Sequence, residues 1–375
     1  MKFSVERAIL LKALGHTQSV VERRNTIPIL ANILLDAKDG TLRVTATDME
    51  IAIVEEVSGV QVARPGRTTA PAGTLYEIVR KLPEGAMVEL DHKGGDAPLA
   101  LRAGRFSTSL PVLPVEDFPS MTEGSMPHQF KLEAAKLRGM ISRTRFAIST
   151  EETRYYLNGI YLHTAEVDGR KVLRAAATDG HRLARVEEDL PEGAGGMPGV
   201  IVPRKTVNEV NKLAEETRDE IEFRLSDTKI SFRIGTVTLT SKLIDGTFPD
   251  YERVIPRGND KILKVSKKEF AEAVGRVAAI SNERSRPVKL SIDRNHLLLT
   301  ASSPEQGQAQ EELDEGSVKY ESSPIEIGFQ ARYLNDITDQ VGDELEFKFS
   351  DGSAPTVVAD AKDPGALYVL MPMRV

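Results

Sequence analysis

The residues best placed to do chemistry in this chain form one short run, Thr178-Asp179-Gly180-His181-Arg182-Leu183. A carboxylate and an imidazole two positions apart suggest a general base and its orienting partner, as in a hydrolase. Adjacent chain positions rarely reach that geometry, and a strand end followed by an exposed turn explains the same residues. The other histidines, His16, His92, His128, His163 and His296, form no i,i+4 pair, so no metal site is legible. No phosphate-cradling glycine loop and no Gly-x-Ser-x-Gly elbow is present. With no Cys at all, thiolate metal sites, disulfides and cysteine nucleophiles are excluded together. No cofactor and no metal is expected.

The elements that must position this run occur three times. Phe3-Ser4-Val5 leads into a stretch periodic at Leu10 and Leu14; Phe130-Lys131-Leu132 leads into Leu137 and Ile141; Leu263-Lys264-Val265 leads into Phe270 and Val274. Each reads as an alternating strand followed by an amphipathic helix of about four turns, the second placed over roughly 132–147. Next come apolar strands at Leu30, Ile33 and Leu35, at Leu157, Ile160 and Leu162, and at Leu290 and Ile292. They run into Asp39-Gly40, Asp168-Gly169 and Arg294-Asn295, turn residues that tolerate positive φ. Return strands follow over 42–47, 172–178 and 297–300. A second helix opens near Pro71, Pro203 and Phe329, where an early proline costs no hydrogen bond. Phe118-Pro119 recurs as Phe248-Pro249.

The fold class is therefore α+β, built from three tandem copies of about 125 residues, each with two helices on antiparallel strands. Linkers at 121–126 and 255–260 divide the 375 residues into domains 1–125, 126–257 and 258–375. The first copy carries Thr47-Asp48 where the second carries Thr178-Asp179, without the histidine. A shared turn with an addition in one copy points to binding.

The formal net charge of −7 argues against a simple basic nucleic-acid binder. Bases nevertheless recur at equivalent helix positions: Arg23-Arg24, Arg80-Lys81, Lys136, Arg138, Arg143 and Arg145, Arg204-Lys205, and Lys267-Lys268. A repeated basic face on an acidic chain suits a regular polyanion, contacted through phosphates without base reading. No apolar run approaches the ~20 residues of a membrane helix, and the charges of Lys2, Glu6 and Arg7 leave no apolar signal segment. A cytoplasmic protein with no membrane partner is expected. The last residues, Tyr368-Val369-Leu370-Met371-Pro372-Met373-Arg374-Val375, read as a final strand, as a Met-lined partner surface, or as both.

At this point the sequence resembles a known family, the bacterial DNA polymerase III beta subunits or sliding clamps, along its whole length. The resemblance rests on Thr26-Ile27-Pro28-Ile29-Leu30-Ala31-Asn32, Arg154-Tyr155-Tyr156-Leu157-Asn158-Gly159, Thr178-Asp179-Gly180-His181-Arg182-Leu183-Ala184, Val202-Pro203-Arg204-Lys205, Phe248-Pro249-Asp250-Tyr251 and Met371-Pro372-Met373-Arg374. It implies a DNA-clamp fold and a ring-forming homodimer of pseudo-sixfold symmetry, with helices lining the hole. It implies a non-enzymatic processivity factor that encircles duplex DNA independently of sequence. Implied partners are the replicative polymerase alpha subunit, the clamp loader and other proteins with a clamp-binding motif.

The same resemblance implies a peptide pocket between the second and third domains. It would use Leu157, Thr178, Gly180, His181, Arg182, Leu183, Pro249, Arg253, Val254, Val369, Met371, Pro372, Met373 and Arg374, with Tyr333 at its edge. Implied DNA contacts are Arg24, Arg80, Tyr155, Tyr156, Arg204 and Lys205. Ser149-Thr150-Glu151-Glu152 puts acids where the family places a polar DNA-contacting side chain. Ser285 stands where the family often places a pocket Phe, and Ala279 and Thr108 stand where larger apolar interface residues occur, leaving Phe106 and Ile280 as implied dimer anchors. The competing readings are a hydrolase using Asp179 and His181, and an interaction scaffold without DNA contact.

Overall fold

The computed structural model describes residues 1–21, 26–122, 124–280, 287–314, 316–360 and 362–374. Two compact units result. One holds Met1–Arg138, Pro191–Pro198 and Lys205–Leu243, the other Gly139–Leu190, Gly199–Arg204 and Ile244–Val375. The boundary cuts through the second sequence copy.

Sheet pairing explains the cut. In the first unit, eight antiparallel strands run in the order His128–Glu133, Glu220–Leu225, Lys229–Ile234, Val237–Lys242, Ile51–Val57, Thr41–Thr47, Asn32–Lys38, Gly66–Pro71. Val237 faces Glu55 and Ser241 faces Ile51, so the first and second copies share one continuous sheet. In the second unit, Arg182–Asp189 pairs with Asp363–Leu370 and joins the second copy to the third within a nine-stranded sheet. Each copy therefore donates an edge to the next, which the sequence periodicity did not reveal. Two smaller sheets complete the units. The five-stranded sheet of the first ends at Phe106–Leu110, and the four-stranded sheet of the second ends at Gly307–Leu313.

The helices are α1 (Arg7–Gln18), α2 (Ala72–Lys81), α3 (Ala134–Ser142), α4 (Arg204–Glu215), α5 (Lys267–Val277) and α6 (Ala331–Thr338). In α1, Leu10, Ala13, Leu14 and Thr17 make the buried stripe, at the spacing of one helical face. The Thr17 hydroxyl donates to the Ala13 carbonyl at 2.9 Å, so its burial leaves no orphan. These side chains pack with Phe3, Val5, Leu75 and Val79 into one core, each large apolar side chain contributing about 1.5–3 kcal/mol.

Two expectations about helices are corrected. The prolines do not open the second helices. Pro203 ends the strand Val200–Pro203, and Pro71 ends the strand Gly66–Pro71 and caps α2. Both strands lie at sheet edges, where a missing N–H is harmless. The helix placed over 132–147 is also shorter. Leu132 belongs to the strand before it, and Arg145–Ala147 forms a separate 3₁₀ turn after α3. The Thr144 hydroxyl folds back onto the Met140 carbonyl at 2.7 Å, a local bond that competes with helix continuation. The hairpin turns match expectation: Asp39 and Gly40 have φ of 51° and 75°, Asp168 and Gly169 of 50° and 77°, and Asn295 of 51°.

Aromatic residues are unevenly shared. Of the tyrosines, only Tyr76 lies in the first unit. Tyr155, Tyr156, Tyr161, Tyr251, Tyr320, Tyr333 and Tyr368 lie in the second.

Candidate partner-binding site

The strands Arg170–Thr178 and Arg182–Asp189 are joined by a turn that four hydrogen bonds of the Thr178 and Asp179 side chains close. The Thr178 hydroxyl donates to the Arg182 carbonyl at 2.7 Å and accepts from the Gly180 N–H at 3.1 Å. Oδ1 of Asp179 accepts the N–H groups of His181 and Arg182 at 2.9 and 3.1 Å. Asp179 therefore holds the turn's backbone, and the base-and-orienter reading of Asp179 with His181 fails. The His181 ring instead stacks on Tyr333, with centroids 6.1 Å apart. Among the described residues no three His, Asp or Glu side chains gather as a metal site would require.

Arg182 was expected on the pocket surface, yet its side chain is only 4% exposed. A buried guanidinium needs partners on every side. Nε donates to Asp179 at 3.1 Å, Nη1 to the Asp336 carboxylate, and Nη2 to the Phe146 carbonyl at 2.6 Å. Its plane lies between Phe146 and Tyr333, at 5.1 and 4.5 Å from their centroids. Arg182 thus braces the turn against α6 and the 3₁₀ turn after α3. Asp336 and Phe146 were missed from sequence, because their partners lie far away along the chain.

Gly180 has φ of 88°, and a Cβ there would sit 2.5 Å from Nη1 of Arg154. Arg154 is fixed over this glycine by Glu151, whose two oxygens accept its Nη2 and Nε at 2.6 and 2.9 Å. That hydrogen bonding holds the Glu151 carboxyl below its ordinary range. The acid that broke the family pattern is thus an ion-pair partner, and its spacing of three from Arg154 was a readable signal.

The chain's end supplies a second wall. The strand Asp363–Leu370 stops, and Met371 donates its N–H to the His181 carbonyl at 2.9 Å. Met373 donates to Gly328 at 2.9 Å. The expected final strand runs as far as Leu370, followed by an exposed Met371, half-buried Pro372 and Met373 and an exposed Arg374. Leu157, Leu183 and Val369 are buried and pack with Phe248 and Tyr251 as a floor. Pro249, Arg253 and Val254 are exposed. The turn Tyr251–Val254, which holds Arg253 and Val254, is tethered by Glu252, which accepts from Arg174 at 2.6 Å and Arg185 at 3.3 Å. Tyr251 bonds to His163 Nε2 at 2.7 Å, and burial pushes its hydroxyl up to about 12. All the expected pocket residues therefore fall in the second unit, on the floor, the turns, the terminal segment and, for Tyr333, α6.

The expected DNA contacts differ from one another. Arg24 lies outside the described residues, as does Ser285. Arg80 pairs with Glu77 at 2.7 Å within α2. The Lys205 ammonium is taken by the Asp48 carboxylate and by the Val20 carbonyl at 3.2 Å, a structural tie. The Arg204 side chain is exposed and has no hydrogen bond or ion pair among the described residues. Tyr155 is exposed, and half-buried Tyr156 meets it edge-on at 5.8 Å. Phe106 is exposed on its edge strand, and half-buried Ile280 ends the 3₁₀ turn Ala278–Ile280.

Comparison with known proteins adds three family matches. Residues 1–122, 131–250 and 252–374 match the N-terminal, central and C-terminal domains of the DNA polymerase III beta subunit. The chain is 54% identical over 376 residues to the beta sliding clamp of Caulobacter vibrioides, and 38% identical over 379 residues to that of Escherichia coli K12, with full coverage of each. It resembles the crystal structure of the C. crescentus clamp with bound PEG, with a TM-score of 0.97, 54% identity and coverage of 100% of this chain and 99% of that one. It also resembles the Bartonella birtlesii clamp bound to griselimycin, with a TM-score of 0.96, 47% identity and full coverage of both.

Proposed function

Since the chain belongs to the DNA polymerase III beta-subunit family, the bacterial sliding clamps, we propose a division of labour among its surfaces. The family is a non-catalytic accessory subunit of the polymerase. The chain is accordingly a DNA sliding clamp that tethers the polymerase and so confers processivity.

In our reading the three clamp domains span 1–125, 126–257 and 258–375. Two copies pair head to tail through the open edges Phe106–Leu110 and Gly307–Leu313, with Phe106 and Ile280 as apolar anchors. An unpaired strand edge is a ready template for another chain, and a heterologous pairing of two such edges closes a ring when the rotation per copy permits. DNA passes through the ring, touched at phosphates by Arg24, Arg80, Arg204 and Lys205 and at sugars or exposed bases by Tyr155 and Tyr156. Enclosure replaces tight binding, so weak, sequence-independent contacts suffice and the ring slides. The work takes place in the cytoplasm.

The second surface is the pocket of Leu157, Thr178, Gly180, His181, Leu183, Pro249, Arg253, Val254, Tyr333 and Val369 with the terminal residues Met371, Pro372, Met373 and Arg374; Arg182 positions its turn. It takes short motifs of the polymerase alpha subunit, the clamp loader and other clamp-binding proteins, apolar side chains first. The observation that carries this reading is the Met371 N–H on the His181 carbonyl, which joins turn and terminus into one receptor. Deleting residues 371–375 is expected to abolish binding of a labelled polymerase peptide by fluorescence anisotropy, while light scattering still gives the dimer mass. Undiminished peptide affinity after the deletion overturns the pocket.

A further inference from the structure

We infer that a polar cleft beside the Thr178–Arg182 turn takes the carboxylates of acidic residues that flank a docked peptide; this rests on the pocket reading above. The cleft holds about 390 Å³, and its walls include Arg145, Thr150, His181, Arg204, Arg332 and Tyr333. They come from the segment after α3, the turn itself, the start of α4 and the start of α6.

The charges in the wall do not cancel. Glu151 and Asp179 are its two carboxylates, and both are already engaged. Glu151 is held by Arg154, while Asp179 is held by two backbone N–H groups and Arg182. Arg182 is itself saturated by this arrangement. The Arg145 and Arg204 side chains have no hydrogen bond or ion pair among the described residues. Arg332 lies 3.6 Å from Asp336, a carboxylate that also serves Arg182. Two guanidinium groups without a carboxylate partner among the described residues, Arg145 and Arg204, and a third, Arg332, that shares Asp336 with Arg182 thus line one concave site. Their planar forks match carboxylates in two-pronged geometry.

Position and size identify the ligand. His181 and Tyr333 belong to both the cleft and the proposed peptide pocket, so a peptide anchored in the pocket brings its flanking residues here. A volume of about 390 Å³ admits a few side chains and excludes a duplex.

The test uses the intact protein and a labelled peptide from the organism's own polymerase. One form is flanked at each end by two Glu, the other by two Gln. In fluorescence anisotropy the acidic form is expected to bind about three- to tenfold more tightly at low salt, the advantage shrinking at high salt. R145A combined with R332A should erase that advantage and leave the neutral form's affinity unchanged. Equal affinities of the two forms on the unaltered protein overturn the cleft and leave the pocket standing. If neither form binds, the pocket reading falls and the cleft with it. If a thymidine oligonucleotide binds in a manner dependent on Arg145 and Arg332 while the acidic flanks confer nothing, the site is a nucleic-acid site and the inference is wrong.

Discussion

The turn after Thr47 and the turn after Thr178 are built alike and employed differently. In the first, the Thr47 hydroxyl donates to Ile51 at 2.9 Å and accepts from Met49 at 3.0 Å, while Asp48 Oδ1 accepts from Glu50 and Ile51 at 2.9 and 2.8 Å. In the second, Thr178 and Asp179 make the same four bonds to residues at the same offsets. The third residue is left-handed in both, Met49 at 77° and Gly180 at 88°. What differs is the aspartate's spare oxygen. Asp48 holds the Lys205 ammonium, whereas Asp179 holds the buried Arg182. One inherited turn is a strut in one unit and, in the function proposed above, a receptor wall in the other. The change needed only a histidine, an arginine and the removal of a Cβ.

The largest effect should come from cutting the spare-oxygen contacts. Asp179→Ala strands a buried arginine and two N–H groups and is expected to cost about 3 kcal/mol or more. Asp48→Ala also strands two N–H groups, but the lysine it releases already reaches solvent and keeps the Val20 carbonyl, so it should cost about 1–2 kcal/mol. Urea unfolding midpoints measure both, and equal losses would dissolve the distinction between strut and wall. Next is Gly180→Met, which copies the first turn into the second. The new Cβ collides with Arg154, so peptide affinity should fall about tenfold or more, with about 1–2 kcal/mol of stability. Unchanged affinity would mean that the closeness of Arg154 to the turn is irrelevant.

A smaller effect sharpens the contrast through pH. His16 in α1 bonds Glu55 through Nδ1 and Glu216 through Nε2, both at 2.8 Å, and Lys12 stands 3.2 Å from Glu216. Burial alone would lower the His16 pKa, but the two carboxylates outweigh it and raise it above its ordinary 6.5. Burial likewise works against ionised Glu216, yet His16 and Lys12 hold its carboxyl below 4.5. The His16 contribution is full below 6.5 and is lost as pH rises through the raised value. The Glu216 contribution is present above 4.5 and is lost as pH falls through the lowered value. Relative to His16→Gln, the unaltered protein should gain most between these limits, about 1 kcal/mol. A thermal-melting difference that is flat across pH would refute the linkage. The smallest effect is expected for Met49→Gly, where relief of left-handed strain and added unfolded-state freedom nearly cancel, within about 0.5 kcal/mol.

Much of this was legible in the chain because it is local. Asp39-Gly40 and Asp168-Gly169 announce their hairpins through backbone preference alone, and the stripe of Leu10 and Leu14 announces its helix through period. Pro71 and Pro203 misled because the advantage of a missing N–H is the same on a sheet edge as in a first helical turn. The sharing of sheets between copies was illegible, since an alternating strand does not say which neighbour it will pair with. The proposed pocket residues were named through resemblance to a family, not from spacing. Asp336 and Phe146, which hold Arg182, were not found, because contacts across 154 and 36 residues leave no trace in spacing.

The crowding of tyrosine into one unit has a spectroscopic consequence. With no Trp in the chain and only Tyr76 in the first unit, ultraviolet emission comes almost wholly from the second. Circular dichroism sees the strands and helices of both. Heating one sample under both probes therefore compares part of the molecule with the whole. Coincident melting curves would mean that the shared second copy welds the units into one cooperative block, and a lag between them would time the two separately.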